Sequence, residues 1–163
     1  MANERWLDKD EQQAWQSYAR MRRTLETHLA WHLQREFGLS ASDFEILVSL
    51  SQSPTHRMRA FDLGKATQWE KSRTSHHLSR MEKRGLIRRE NGDARYPDIV
   101  LTEQGLEAFK ACAPAHVARV RDLFVDVLGP GRLAVLTEAS NDVLDAIHEH
   151  QNTSCPPQPR GNC

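Results

Sequence analysis

Between Glu70 and Arg84 the chain reads Glu-Lys-Ser-Arg-Thr-Ser-His-His-Leu-Ser-Arg-Met-Glu-Lys-Arg, a segment crowded with hydrogen-bond donors. Thr74, Leu78 and Met81 recur at spacings of four and three, which puts them in one narrow stripe of a helix. Ser72, Arg73, His76, Ser79, Arg80 and Lys83 fall on the other side. A helix with a thin apolar back and a cationic, short-polar front suits a DNA major groove. Taken alone, the same segment also reads as a solvated surface helix, so its neighbours must decide. Arg73 and Arg80 flank the exposed face and can reach guanine O6 and N7 or a phosphate. Lys71, Ser72, Thr74 and Ser75 occupy the first turns, where backbone N–H groups and the helix dipole attract phosphate. Thr74 lies equally on the core side. His76 points outward, toward a base edge or simply toward solvent.

The elements around this helix are legible from changes of period. Gly85 follows it as a C′ residue, where a left-handed conformation costs glycine little. Leu86–Arg89 reads as a short strand, Asn91-Gly92 as a tight turn, and Ile99–Thr102 as the β-branched part of a returning strand that also takes in Pro97. Thr102-Glu-Gln-Gly105 looks like the cap of a following helix. Upstream, residues 58–67 form the first helix of a helix-turn-helix, with Met58, Phe61, Leu63 and Ala66 on its core side. Gly64 marks a place where the next helix crosses closely. Thr67-Gln-Trp69 is the turn.

Helix, turn, basic helix and charged hairpin in that order describe a winged helix-turn-helix. Arg80-Met-Glu-Lys-Arg-Gly-Leu-Ile-Arg-Arg89, then Asp93-x-Arg95 ahead of Leu101-Thr102-x-x-Gly105, resembles the MarR family of bacterial transcription regulators. The resemblance extends over nearly the whole chain, although the stretch from Gly85 to Asp93 is shorter than the family pattern. It implies that Arg95 is a minor-groove arginine at the wing tip and that Asp93 orients it. It also implies a homodimer, a palindromic double-stranded operator, repression by covering a promoter, and release by phenolic or carboxylic effectors.

Formal net charge is zero, which on its face argues against nucleic acid. The distribution argues for it: residues 57–95 hold 11 Lys and Arg against 5 Asp and Glu, leaving a compensating acidic excess elsewhere. A basic block in an acidic frame is expected where one face meets phosphate. No apolar run approaches a membrane span, no signal-peptide pattern is visible, and Cys112, Cys155 and Cys163 show no Cys-x-x-Cys spacing. The expectation is a cytoplasmic protein with no membrane partner.

The fold class is therefore mainly α with a small β-wing. Residues 1–150 form one subunit, with a DNA-binding lobe at 40–105, dimerisation helices at 4–37 and 103–150, and a disordered tail at 151–163. The first helix carries Trp15, Tyr18, Leu25, Leu29, His32 and Leu33 on one side. A second starts at Ser40 or Ser42 and stops at Ser53-Pro54. From Thr102 to Leu128 one helix is kinked by Pro114, Gly129-Pro-Gly131 breaks it, and a last helix ends near His150. These wide apolar faces need a partner surface. Two recognition helices related by a two-fold axis, about one DNA turn apart, then read a palindrome.

Arg22 falls near the middle of the first helix's apolar stripe. A guanidinium there requires a partner: either Glu26, or the carboxylate of a small anionic aromatic ligand clasped by Trp15 and Tyr18 with His32 or His116. Other chemistry is thin. His28 and His32 have metal-ligand spacing, and His116, His148 and His150 add nitrogens, but no carboxylate or cysteine completes a set, so no metal and no cofactor are expected. Cys112 reads as a buried small hydrophobe more readily than as a redox sensor. No glycine elbow, phosphate loop or catalytic pairing appears, which excludes an enzyme. A winged helix serving only as a protein-interaction scaffold is the remaining alternative, and the basic block stands against it.

Overall fold

Residues 5–90 and 97–154 are described by a computed structural model. It comprises two compact units, divided between Arg119 and Val120. In the first, α1 (Lys9–Phe37), α2 (Ala41–Gln52), β1 (Arg57–Arg59), α3 (Ala60–Thr67), α4 (Lys71–Lys83), β2 (Ile87–Glu90), β3 (Asp98–Leu101) and α5 (Glu103–Val120) follow in chain order. A π-helical segment, Arg121–Val125, and α6 (Asp126–Ser154) make up the second.

Helix α1 begins later than residue 4, because Asp8 supplies a complete capping box. Its carboxylate accepts from the Asp10 and Glu11 amides, each at 2.9 Å, and the Glu11 carboxylate accepts from the Asp8 amide. Gly38, at φ 64°, ends the helix as its C-cap. Ser40 starts α2 with a second capping box: the Asp43 amide donates to Ser40 Oγ at 3.0 Å, and the Ser40 amide donates to Asp43 Oδ2 at 2.8 Å.

The three strands form an antiparallel sheet in the order β1-β3-β2. Strand β1 corrects the sequence reading, which began a helix at Met58. Met58 instead pairs with Ile99, and its half-buried side chain packs on the core. The helix therefore starts at Ala60, and Phe61, expected inside, is 54% exposed with the Lys65 amine 4.6 Å from its ring centre. Strand β3 is central, paired on both sides, and a proline within it would cost a ladder bond. Pro97 accordingly stands just before β3, and its carbonyl accepts from the Ala60 amide.

Leu33, Leu39, Ile46, Leu47, Leu50, Leu63, Leu78, Met81, Leu86, Ile87, Ile99, Leu101 and Cys112 form one buried core. Helices α1 to α5 and the sheet all contribute to it, giving a winged helix-turn-helix. Thr102 caps α5 as expected: Oγ1 accepts from the Gly105 amide at 3.0 Å and donates to the Gly85 carbonyl at 2.6 Å. Gly105 is required by space, since a Cβ there would lie 2.0 Å from the Leu86 carbonyl oxygen.

Pro114 stands inside α5, and the α-helical pattern gives way at the π-helical Arg121–Val125. Gly129, at φ 68° and ψ 169°, makes the expected break in α6. Beyond it α6 continues through Ser154, past the Gln151 at which the tail was expected to begin; 155–163 lie outside the described residues. Val135, Val143, Leu144 and Ile147 are exposed large hydrophobics on α6. Among the described residues no helix is long and apolar enough to cross a membrane.

Gly105→Ala should destabilise the fold by about 3 kcal/mol, as an overpacked core position facing immovable backbone. Urea unfolding of the two proteins measures it, and an unchanged midpoint would show that α5 can shift away from Leu86 freely.

Candidate nucleic-acid interface

Helices α3 and α4 cross at Gly64, where a Cβ would stand 3.4 Å from Thr74 Oγ1 and 3.5 Å from the Trp69 carbonyl. The close approach expected of Gly64 is thus present. It also settles where Thr74 points. The residue is buried, and its hydroxyl donates to the Glu70 carbonyl at 3.0 Å. Its side chain belongs to the helix crossing, a correction to its place among the front residues. Lys71, Ser72, Arg73, Ser75, His76 and Arg80 are all exposed. Asp93 and Arg95 lie outside the described residues.

The two flanks of α4 are held differently. On one, Arg73 stacks over the Trp69 ring at 4.4 Å, and an Arg80 terminal nitrogen donates to His77 Nδ1 at 2.8 Å. On the other, Arg89 of β2 reaches across from the wing. Its guanidinium donates to Glu82 at 2.7 Å, to Ser79 Oγ at 3.0 Å and to the Ser75 carbonyl at 3.3 Å, while its amide donates to the second Glu82 oxygen. The base of the wing is therefore bonded to the outer edge of α4.

Behind α4 sits a buried carboxylate, Asp43, 2% exposed. It accepts from the Arg84 guanidinium at 2.7 Å, and the same guanidinium donates to the Gly38 carbonyl at 2.8 Å. Its other oxygen lies 3.1 Å from His77 Nε2. Burial pushes the Asp43 carboxyl up, but hydrogen bonds from Ser40 and Arg84 outweigh it, and the group sits below its usual 3.8. Sequence reasoning missed Asp43, His77, Glu82 and Arg89. Two signals were available: Ser40-x-x-Asp43 has capping-box spacing, and position 77 completes the apolar stripe of 74, 78 and 81.

Several cations of the basic block are tied to acids within the lobe. Arg57 pairs with Glu90 and Asp98, Arg84 with Asp43, Arg88 with Glu90, and Arg89 with Glu82. Lys71, Arg73, Arg80 and Lys83 of α4 make no ion pair among the described residues. An apolar cavity of ≈ 540 Å³ opens beside them, walled by Phe61, Trp69, Leu78 and Pro97, with Lys71 and Arg89 also lining it.

The residues considered for a ligand fall into separate groups. Trp15 and Tyr18 lie 6.1 Å apart on α1, both exposed. Arg22 corrects the expectation of a guanidinium in an apolar face: its side chain is half-exposed and donates to Glu26 at 3.2 Å. At about 1.5 Å per residue, His32 is about 15 Å further along the helix. There His32 Nδ1 meets Glu36 at 2.8 Å, and Arg119 of α5 pairs with the same carboxylate. The His32 hydrogen bond and Arg119 together hold Glu36 below its usual range. His116 lies against Phe44, 4.4 Å between ring centres, and burial followed by Arg119 lowers its pKa. Among the described residues, no three His, Cys, Asp or Glu groups converge for a metal ion. Cys112 is fully buried, and burial raises its thiol pKa.

Comparison with known proteins accords with this geometry. The sequence model of the MarR family matches residues 39–95, from the end of α1 to the wing. The crystal structure of AbsC, a MarR family transcriptional regulator from Streptomyces coelicolor, superposes with a TM-score of 0.85 at 45% identity, over 89% of this chain and 99% of that one. The chain belongs to the MarR family. Sco3205, a MarR family regulator from the same organism solved in complex with DNA, is 37% identical with a TM-score of 0.84, covering 87% of this chain and 94% of its own. An uncharacterised HTH-type transcriptional regulator of Bacillus cereus is 30% identical over 76% of this chain and 80% of its own length. Within this MarR family protein, α4 is the second helix of the helix-turn-helix. Members are transcriptional regulators and not enzymes.

Asp43 generates a prediction with a definite sign. Its folded carboxyl is the stronger acid, so its stabilisation is fully present above its unfolded value and is lost as pH falls through the lower, folded one. Asp43→Asn should cost about 2 kcal/mol near neutrality, the worth of a bond to a charged group. It should also flatten the loss of stability below about pH 4. Urea titrations across pH for both proteins check this, and parallel curves would refute it.

Proposed function

We propose that this MarR-family regulator is a homodimeric repressor that binds a palindromic operator, with α4 in the major groove and Arg95, backed by Asp93, in the adjacent minor groove. One observation carries the reading: α4 presents Lys71, Arg73, Arg80 and Lys83 together on one helix with no ion pair among the described residues, while Arg57, Arg84, Arg88 and Arg89 are consumed in holding the lobe together. A protein-interaction scaffold has no use for that division. The exposed apolar residues of α1 and α6 support the dimer, since no large hydrophobic of α6 is buried within the single chain. Pairing two α4 helices makes the second half-site an intramolecular contact and raises affinity accordingly.

The test uses the purified protein and the DNA flanking its own gene. Light scattering should give twice the subunit mass of 18.7 kDa. Affinity should fall steeply with salt, and Lys71→Ala should reduce the slope by about one ion for each phosphate that Lys71 neutralises. Arg73→Ala should relax the choice of base at one half-site position by about 1–3 kcal/mol. A monomer, or binding indifferent to salt, would sink the proposal.

Release by a small anionic aromatic compound, phenolic or carboxylic, belongs to the same reading. The cavity beside α4 suits such a ligand better than Trp15, Tyr18 and Arg22 do. Phe61 and Trp69 supply ring-sized apolar walls, and Lys71 and Arg89 supply charge. Ligand seated there takes Lys71, a cation that DNA needs, and it shifts binding only by the ratio of its affinities for free and DNA-bound protein. Benzoate-type and phenolic acids titrated into the protein–DNA complex should release the parent and Arg22→Ala alike, but not Phe61→Ala. Loss of response in Arg22→Ala alone would place the effector on α1 instead, and a parent that never responds would remove the effector from the proposal.

A further inference from the structure

His77 is the neighbour of outward-facing His76 on α4, yet it is 5% exposed. Trp69, in the turn between α3 and α4, meets its ring edge-on with 5.3 Å between centres. Its two nitrogens face partners of opposite kind. Nδ1 stands 2.8 Å from an Arg80 terminal nitrogen. A guanidinium can only donate, so Nδ1 must accept and carries no proton. In a neutral imidazole the proton then sits on Nε2, the atom 3.1 Å from Asp43 Oδ1. The Nε2–H approaches that oxygen off-line, outside good hydrogen-bond geometry, and the carboxylate meets it mainly as a charge. Asp43 is in turn fixed by Ser40 and Arg84.

Arg80 is thereby the one α4 cation with a buried anchor. One N–H is committed to His77, and the rest of the exposed guanidinium makes no hydrogen bond among the described residues. Arg73, by contrast, rests on a ring face, which constrains height but not rotation.

We propose that His77 is a specificity-positioning residue: the Asp43–His77 pair aims Arg80 at a base edge, and a proton taken up by His77 withdraws that aim, making base choice at one position of each half-site dependent on pH. This rests on the assignment of α4 as the DNA-reading helix made above.

The physical sequence is short. Protonation turns Nδ1 into a donor facing a donor and sets two cations side by side, so Arg80 must leave its anchor. A free arginine side chain still attracts phosphate but no longer holds the fixed geometry that bidentate guanine recognition needs. The groups that face His77 act in both directions. Asp43 of α2 favours the proton; Arg80 and Arg73 of α4 oppose it; Trp69 offers only an apolar edge. Burial is the largest influence and lowers the His77 pKa below its usual value, against Asp43 and together with the two arginines. The imidazole is accordingly neutral near pH 7 and charges on acidification. Acidification makes the protein more cationic as a whole and tightens binding to any DNA, so selectivity is the informative quantity, not affinity.

The experiment selects binding sites from a random duplex library with the full-length protein, at about pH 8 and about pH 5, the lower value set well below an ordinary histidine pKa because burial lowers that of His77. Parent, His77→Gln and Arg80→Ala are compared. Glutamine offers an N–H to Asp43 and a carbonyl to Arg80 and does not titrate. The parent should show a base preference at one position per half-site that falls about tenfold at the lower pH, the scale of one bidentate contact. His77→Gln should keep it at both, and Arg80→Ala should lack it at both. A parent preference indifferent to pH, or a His77→Gln preference that falls with the parent's, overturns the proposal while leaving the DNA-binding reading intact. A library that enriches nothing at either pH overturns both. Independently of DNA and of any variant, long-range ¹⁵N–¹H correlation on the native protein should show the Nε2–H tautomer for His77. An Nδ1–H ring would also overturn the proposal.

Discussion

The DNA-binding lobe depends on one buried carboxylate. Asp43 holds the start of α2 through Ser40, the end of α4 through Arg84, and, through the same guanidinium, the C-cap carbonyl of α1. Its remaining oxygen faces His77 in the middle of α4. A buried charge is tolerated only when it is paired and hydrogen-bonded, and here the Ser40 amide at the start of α2 and the Arg84 guanidinium at the end of α4 meet that need. The angle at which α4 leaves the core is thus set by electrostatics as much as by Leu78 and Met81. Apolar packing alone permits small rotations of a helix about its axis; a carboxylate with fixed partners does not.

Much of this arrangement was legible in the sequence, for identifiable reasons. The stripe of Thr74, Leu78 and Met81, the cap at Thr102 and the break at Gly129 are local signals, written in neighbours along the chain. Strand β1 was not legible, because three residues carry too little period to distinguish a strand from the first turn of a helix. Its existence is decided by Ile99, far away in sequence. Arg22 was misplaced for a related reason: the stripe on α1 was read as a buried face, whereas that part of the helix is open along its length in a single chain. The front of α4 was found by its donors. The residues that hold it, His77 and Asp43 among them, were not, since a buried polar pair has no sequence spacing of its own.

Net charge proved a poor guide, and charge pairing a better one. The basic block holds more cations than the proposed interface uses, because Arg57, Arg84, Arg88 and Arg89 are matched to acids within the lobe. The pairs of Arg57, Arg88 and Arg89, at half-exposed positions, contribute little stability one by one. They do fix geometry.

The bonds from Arg89 to Glu82, Ser79 and Ser75 have a metrical meaning. They make the root of the wing and the outer edge of α4 a single rigid piece, so the offset between whatever the helix touches and whatever the wing touches is a constant of the protein. With α4 and the wing docked as proposed, changes at the hairpin tip would leave the phase between the two grooves unaltered. A lineage of such proteins would drift in what the wing prefers while keeping the distance, counted in base pairs, at which it prefers it.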